Sequence, residues 1–235
     1  MHDVAAAFAT AFALVRDLDA QLVEIVALSL QVTLSALAVS ALIGMPLGAV
    51  LAVARFPGRA ALTVLVSALM GLPPVVVGLT VYLLLSQSGP LGVLQLLYTP
   101  AAMILAQAIL VTPIVAALSR QVIADLNAEY DETLRALHAS RLQAIATLLW
   151  DARHGLMTAL LAGLGRALAE VGAVMIVGGN IAHVTRVMTT AIALETSRGA
   201  LALALALGLV LLALSVLISG ALIALSGQGA RKAYG

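Results

Sequence analysis

The apolar positions of this chain come in long unbroken runs. No charged residue occurs from Ile25 to Ala54, and none from Ala60 to Ser119. A helix crosses a bilayer with roughly 20 mostly apolar residues, so the first run supplies one span, long enough to tilt or to project. The second run is too long for one helix, and Ser86-Gln87-Ser88-Gly89-Pro90 carries the turn chemistry that divides it. A further run extends from about Gly155 to Gly178, interrupted by Arg166 and Glu170, and a last one from about Gly199 to Leu225. Ala and Leu alternate from Ala200 to Leu207 with a strand-like period of two. Both residue types are apolar and the run has helical length, so it reads as helix. The pattern predicts an all-α polytopic membrane protein with five spans, at about 22–54, 60–86, 98–119, 155–178 and 199–225, within one transmembrane domain covering 1–235.

Residues 1–20 form a separate N-terminal segment. Its Ala- and Phe-rich stretch, Ala5 to Val15, is similar to a short signal core, but no basic stretch precedes it and Asp17 and Asp19 follow. It reads as a helix lying along the membrane surface, with other roles left open.

Composition narrows the function classes. The chain is 63% hydrophobic and 10% charged, against about 45–50% and about 25% for ordinary soluble domains. A net charge of +1 and 3% aromatic residues provide neither the field nor the stacking platform for nucleic acid. There is no cysteine, and His2, His138, His154 and His183 are dispersed without metal-ligand spacing. The arginines and the single lysine set the orientation. Arg55, Arg59, Arg120, Arg135, Arg141, Arg153, Arg231 and Lys232 fall on one side of the spans, and Arg16, Arg186 and Arg198 on the other. This asymmetry places the C-terminus and the loop 120–153 in the cytoplasm and the N-terminus outside. Trp150 and Tyr98 read as interface anchors.

The loop 120–153 carries its own signal. From Ala128 to Trp150, Leu134, Leu137, Leu142, Ile145 and Leu148 recur at helical spacings with charges between them. Such an amphipathic helix either lies on the bilayer or docks a cytoplasmic partner. The run Glu132-Thr-Leu-Arg-Ala-Leu-His-Ala-Ser-Arg141 resembles the cytoplasmic coupling loop of ABC importer permeases. Glu132 stands at the glutamate of that motif, and Leu137, Ala139 and Ser140 match its surroundings. The departures are Thr133 and Leu134 in place of two alanines, His138 in place of a glycine, and Asp151 where a proline is expected. Ala152-Arg-His-Gly-Leu156 and Gly165-Arg-Ala-Leu-Ala-Glu-Val-Gly-Ala-Val-Met-Ile-Val-Gly-Gly-Asn-Ile181 resemble the oxyanion subgroup, which handles molybdate, tungstate and sulfate. Gly71-Leu-Pro-Pro-Val-Val-Val-Gly78, Leu83-Leu-Leu-Ser-Gln-Ser-Gly-Pro-Leu-Gly92 and Thr185-Arg-Val-Met-Thr-Thr-Ala-Ile-Ala-Leu-Glu-Thr196 look closest to its tungstate branch.

The resemblance extends from about residue 20 to residue 225. It implies a type I importer permease fold, a homodimer, two cytoplasmic ABC ATPase subunits, and an extracytoplasmic oxyanion-binding protein. It also implies that Glu132, Leu137, His138, Ala139, Ser140 and Arg141 form the ATPase-coupling surface. ATP and Mg would be bound in the partner, with no cofactor in this chain. One part follows independently: the only lysine is Lys232, close to the end, so a Gly-x-x-x-x-Gly-Lys-Ser/Thr phosphate loop cannot be formed here.

Within the spans, Arg166 and Glu170 stand at i, i+4, where they share a helix face and can pair. They form either a structural ion pair or a gate that presents Arg166 to the substrate. Pro73 and Pro74 remove two backbone donors and kink or break the second span, as a static bend or as pore-lining backbone. Gly44-Met-Pro-Leu-Gly48 in the first span and Pro113 in the third suggest kinks, and the Gly44/Gly48 spacing also fits close helix contact. Gly178, Gly179 and Asn180 end the fourth span as a helix cap or as an anion nest. Thr185, Arg186, Thr189 and Thr190 are candidates for the outer vestibule, with Arg186 alternatively docking an acidic face of the binding protein. Molybdate or sulfate transport is the alternative within the family. An ion-coupled secondary transporter needs a mid-membrane carboxylate, for which only Glu170 qualifies. No His-Glu-x-x-His or paired-carboxylate arrangement points to an enzyme.

Overall fold

The structure is a computed structural model that describes the backbone of residues 2–233, with the side chains of 8–221, 223 and 224. The side chains of His2, Ala5 to Ala7, Arg231 and Lys232, which entered the sequence reading, lie outside the described residues. Among the described residues there are ten α-helices and no strand: α1 His2–Arg16, α2 Ala20–Val53, α3 Arg59–Leu69, α4 Pro74–Leu85, α5 Pro100–Ala136, α6 Arg141–Asp151, α7 Arg153–Leu168, α8 Gly172–Gly178, α9 Met188–Ser197 and α10 Leu201–Ala233. A short 3-10 turn, Gly92–Leu94, follows α4. By length and apolarity α2, α5 and the Leu201–Ala221 part of α10 can each cross a membrane. The α3–α4 and α7–α8 pairs pass the same test jointly, giving up to five spans if each pair is one.

The two interruptions have different chemistry. Between α3 and α4, Met70, Gly71 and Leu72 each donate to the carbonyl three residues back, at 3.3, 3.1 and 3.2 Å. Pro73 then sits at the N-cap of α4 with φ −65° and ψ 124°, and Pro74 opens the helix, where a missing N–H costs nothing. Between α7 and α8 there is no proline. There the buried Glu170 accepts the Ala173 N–H at 2.9 Å through Oε1, and its own carbonyl accepts the Thr189 hydroxyl at 2.8 Å. Pro46 and Pro113 lie inside α2 and α5, and both helices run on through them.

The chain groups into two compact units. One comprises Met1–Ser35, Pro73–Gln107 and Leu168–Ile218. Its apolar cluster joins Ala11 of α1, Leu22 and Ile25 of α2, Met188 and Ala191 of α9, and Ala206 and Leu207 of α10. The N-terminal helix is thus held by its inner face, while Phe8 and Phe12 are exposed. Ser29 ties α2 to the start of α9: its hydroxyl donates to the Ile25 carbonyl and accepts the Met188 N–H, both at 2.7 Å. α4 packs on α8 through Gly78, where a Cβ would lie 2.8 Å from the Ala173 Cα.

The other unit comprises Ala36–Leu72, Ala108–Ala167 and Ser219–Gly235. Here α2 meets α5 through Gly44 and Gly48. A Cβ at Gly48 would stand 2.5 Å from the Ala116 carbonyl and 2.8 Å from the Arg120 amide nitrogen, so only glycine permits this approach. Ala49, Ala52, Ile123, Leu148 and Leu156 form a cluster that seats the inner face of α6. Arg59 closes the end of α2 by donating to the carbonyls of Leu51 at 2.7 Å and Ala52 at 3.1 Å.

Candidate functional site

The loop expected at 120–153 begins as helix. α5 continues through Arg120 to Ala136, supported on its exposed face by the Asp131–Arg135 pair at 2.7 Å. The single helix expected over Ala128–Trp150 is instead two helices, α5 and α6, separated at Leu137–Ser140. The separation is a Schellman-type stop. Ala139 N–H donates to the Leu134 carbonyl and His138 N–H to that of Arg135, both at 3.0 Å. His138 holds the left-handed position with φ +50°, a conformation glycine adopts without strain. Ser140 then starts α6 with a capping box: its hydroxyl accepts the Gln143 N–H at 3.4 Å, and the Gln143 side chain accepts the Ser140 N–H at 2.8 Å.

This corner is displayed outward. Leu137 is 73% exposed and Leu142 80%, and Glu132, His138, Ser140 and Arg141 are also exposed, with Ala139 half-buried. Ala144 and Leu148 on the opposite face of α6 are buried. The corner is thus a mixed apolar and charged knob on a packed base. A cavity of about 610 Å³ beside it is lined by Asp131, Arg135, His138 and Arg141 together with Arg55 and Arg59. The sequence reading used those last two arginines only for orientation.

In the first unit the candidate residues cluster around α8. Pro73 and Pro74 begin α4, and Gly172 lets α8 approach it, since a Cβ there would meet Val75 at 3.2 Å. Gly178 is buried against Met103. Gly179 ends α8 in the left-handed conformation, φ +70°, and donates to the Met175 carbonyl at 2.9 Å. The Ile181 N–H is taken by the Thr185 hydroxyl at 3.0 Å, which itself donates to the Gly178 carbonyl. The Gly179 N–H, one of those considered for an anion nest, is thus committed within the chain, as is the neighbouring Ile181 N–H. Asn180, half-buried with φ +50°, donates to the Thr190 carbonyl at 3.3 Å.

Thr185 and Thr190 are fully buried and serve these local bonds, so neither lines an open vestibule. Arg186 is half-buried beside Glu24 and His183, with no hydrogen-bond partner for its Nε among the described residues. Glu170 lies in the break before α8, and Arg166 is half-buried in the last turn of α7. α7 ends at Leu168, and Glu170 follows where the chain turns, its carboxylate accepting from Ala173 and its carbonyl from Thr189. A feature missed by the sequence reading is a cavity of about 790 Å³ lined by Tyr82, Ser86, Gln87, Gln95 and Tyr98. It offers hydroxyl and amide donors with no charged side chain. Tyr82 and Tyr98 meet there edge to face at 6.4 Å. The Ser86-Gln87 turn signal pointed at the segment without revealing this role.

Residues 44–227 match the family described as binding-protein-dependent transport system inner membrane component. A probable anion ABC transporter permease protein of Haloferax volcanii is 42% identical over 215 residues, 89% of this chain and 90% of the relative. A tungstate uptake system permease protein of Peptoclostridium acidaminophilum is 40% identical over 199 residues, 85% of this chain and 87% of the relative. The protein of the same name in Campylobacter jejuni is 44% identical over 133 residues, 57% of this chain and 56% of the relative.

Proposed function

The chain belongs to the family of inner membrane components of binding-protein-dependent transport systems, and on that premise we propose that it is the permease subunit of an ATP-driven importer of tungstate or a related oxyanion. The observation that carries this reading is the near full-length similarity to a tungstate uptake permease. As a multi-pass inner membrane permease it works with an ATPase and a substrate-binding protein. In our reading the whole chain acts as one permease domain and pairs with a second copy. Two ABC ATPases bind inside, where ATP and Mg are held, and an oxyanion-binding protein docks outside. The N-terminus lies outside and the C-terminus inside, in accord with the arginine distribution.

The mechanism is alternating access. The exposed corner of Glu132, Leu137, His138, Ala139, Ser140 and Arg141 receives the movement of the ATPases when they close on ATP. The apolar side chains Leu137 and Leu142 give the contact its area, and Glu132 and Arg141 its register. The packed face of α6 passes that movement into the unit containing Ile123 and Leu148. Broken helices beside Pro73, Pro74 and Glu170 supply polar backbone at membrane depth, tolerated where it lines a water-filled path. Arg166, Gly178, Gly179, Asn180 and Arg186 are the remaining candidates for contact with the moving anion.

The test is oxyanion accumulation in cells lacking the protein, with and without its return, at nanomolar tungstate and molybdate supplied together. Restored tungstate uptake that Glu132→Arg abolishes, with loss of the copurifying ATPase, is the expected result. Restored molybdate or sulfate uptake without a tungstate effect sinks the substrate assignment.

A further inference from the structure

Three arginines of the second unit converge on one cavity. Arg55, Arg59 and Arg120 line a space of about 680 Å³ together with Phe56, Thr63 and Val64, and no carboxylate lines it. Their positions in the sequence carry a second meaning. Arg55 is the first charge after the uncharged run Ile25–Ala54. Arg59 immediately precedes the uncharged run Ala60–Ser119, and Arg120 immediately follows it. Each thus marks an end of membrane-buried chain, and the fold brings all three to the same end.

The guanidiniums differ in what already holds them. Arg59 is committed through Nε and one terminal nitrogen to the carbonyls at the end of α2. Arg120 is half-buried, and its Nε is sequestered without a hydrogen-bond partner. A buried donor left unmet costs about 1–3 kcal/mol, more for a charged group. Arg55 is exposed. Three positive charges on a wall without a carboxylate match a tetrahedral oxyanion, although Arg55 and Arg59 also border the neighbouring cavity that Asp131 lines. On the same wall Val64 is 68% exposed and Phe56 38%, an apolar face with no work to do for a free ion.

We propose that this cavity is a binding site for the phosphodiester headgroup of an anionic phospholipid, with an acyl chain lying along Phe56 and Val64. A free oxyanion would use the arginines and leave the apolar wall wet, whereas an anionic lipid uses both. Basic pockets at the cytoplasmic ends of spans take such headgroups. Assigning the leaflet as cytoplasmic rests on the orientation proposed above; the site itself does not.

The test uses the full-length protein in nanodiscs of phosphatidylethanolamine doped with phosphatidylglycerol, with retained lipid read by mass spectrometry after detergent extraction. Phosphatidylglycerol is expected to be enriched on the wild type. Each basic residue is worth about fivefold at such a surface, so Arg55→Gln with Arg120→Gln lowers the enrichment by about thirtyfold. Arg120→Lys keeps the charge and restores most of it. Arg153→Gln leaves it unchanged, because Arg153 is stacked on Trp150 at 5.0 Å and bonded to the Trp150 carbonyl. Should the double variant fail to fold, Arg55→Gln alone, at an exposed position, reads the same effect as about a fivefold loss. Equal retention of both lipids, or enrichment unaffected by these variants, overturns the proposal. Displacement of phosphatidylglycerol by millimolar inorganic phosphate overturns the lipid as the source and reassigns the cavity to a soluble oxyanion.

Discussion

Replacing Gly48 by alanine tests the packing of α2 on α5 in the second unit. The new Cβ would sit 2.5 Å from the Ala116 carbonyl oxygen, 2.8 Å from the Arg120 nitrogen and 2.9 Å from the Ser119 Cβ. Carbon–oxygen contacts between helices settle at roughly 3.3–3.6 Å, so the first distance is short by about 0.8 Å. Two of the three obstacles are backbone, which cannot rotate aside, and α2 and α5 must separate along this contact. Overpacking of that kind costs about 1–3 kcal/mol. At about 2 kcal/mol the melting temperature of a chain this size falls by roughly 4–8 °C. Gly44→Ala, whose Cβ would lie 3.0 Å from the Thr112 oxygen and the Val115 Cβ, falls by less. Gly208→Ala in α10 meets nothing within 4 Å and gains helix propensity of up to about 1 kcal/mol, so it melts at or above the wild type. The assay is thermal unfolding of the full-length variants in one detergent. Equal melting temperatures for the Gly48 and Gly208 variants would refute the reasoning.

His138→Gly removes a left-handed strain worth about 1 kcal/mol, so its melting temperature rises by a few degrees; a fall would show that the His138 side chain stabilises the corner. Ser29→Ala leaves the Met188 N–H without its acceptor in a buried site. It costs about 1–3 kcal/mol and speeds hydrogen exchange at that amide, which unchanged exchange would contradict.

Hydropathy located the long helices because charge is excluded from them: Ile25–Ala54 lies within α2 apart from Ala54, and Ala60–Ser119 spans from α3 into α5. The interruption at Pro73 was legible for the same direct reason, since two absent donors cannot be hidden. The interruption at Ala169–Val171 was not, because no residue there is a breaker. Its causes are a carboxylate bonded three residues ahead and a hydroxyl nineteen residues away. The stop at Leu137–Ser140 had a local signal in Ser140 and Gln143, spaced as a capping box, which the run of helically spaced leucines masked. Thr185 and Thr190 stand among the outer-vestibule candidates because sequence does not distinguish a threonine bonded to nearby backbone from one facing water. The arginines 55, 59 and 120 were counted one by one for orientation. Only the fold brings them together.

The two interrupted helix pairs differ in how much of each interruption is permanent. At Pro73 and Pro74 two consecutive backbone hydrogens are absent, so no change of partner or ligand can supply the two helical bonds they would have made. At Ala169–Val171 every residue keeps its N–H, and the gap persists through bonds that side chains can surrender. Exchange of the Glu170 carboxylate and the Thr189 hydroxyl for water or for one another would leave the backbone free to wind through. One joint is therefore written into the covalent chain, and the other is conditional on its surroundings.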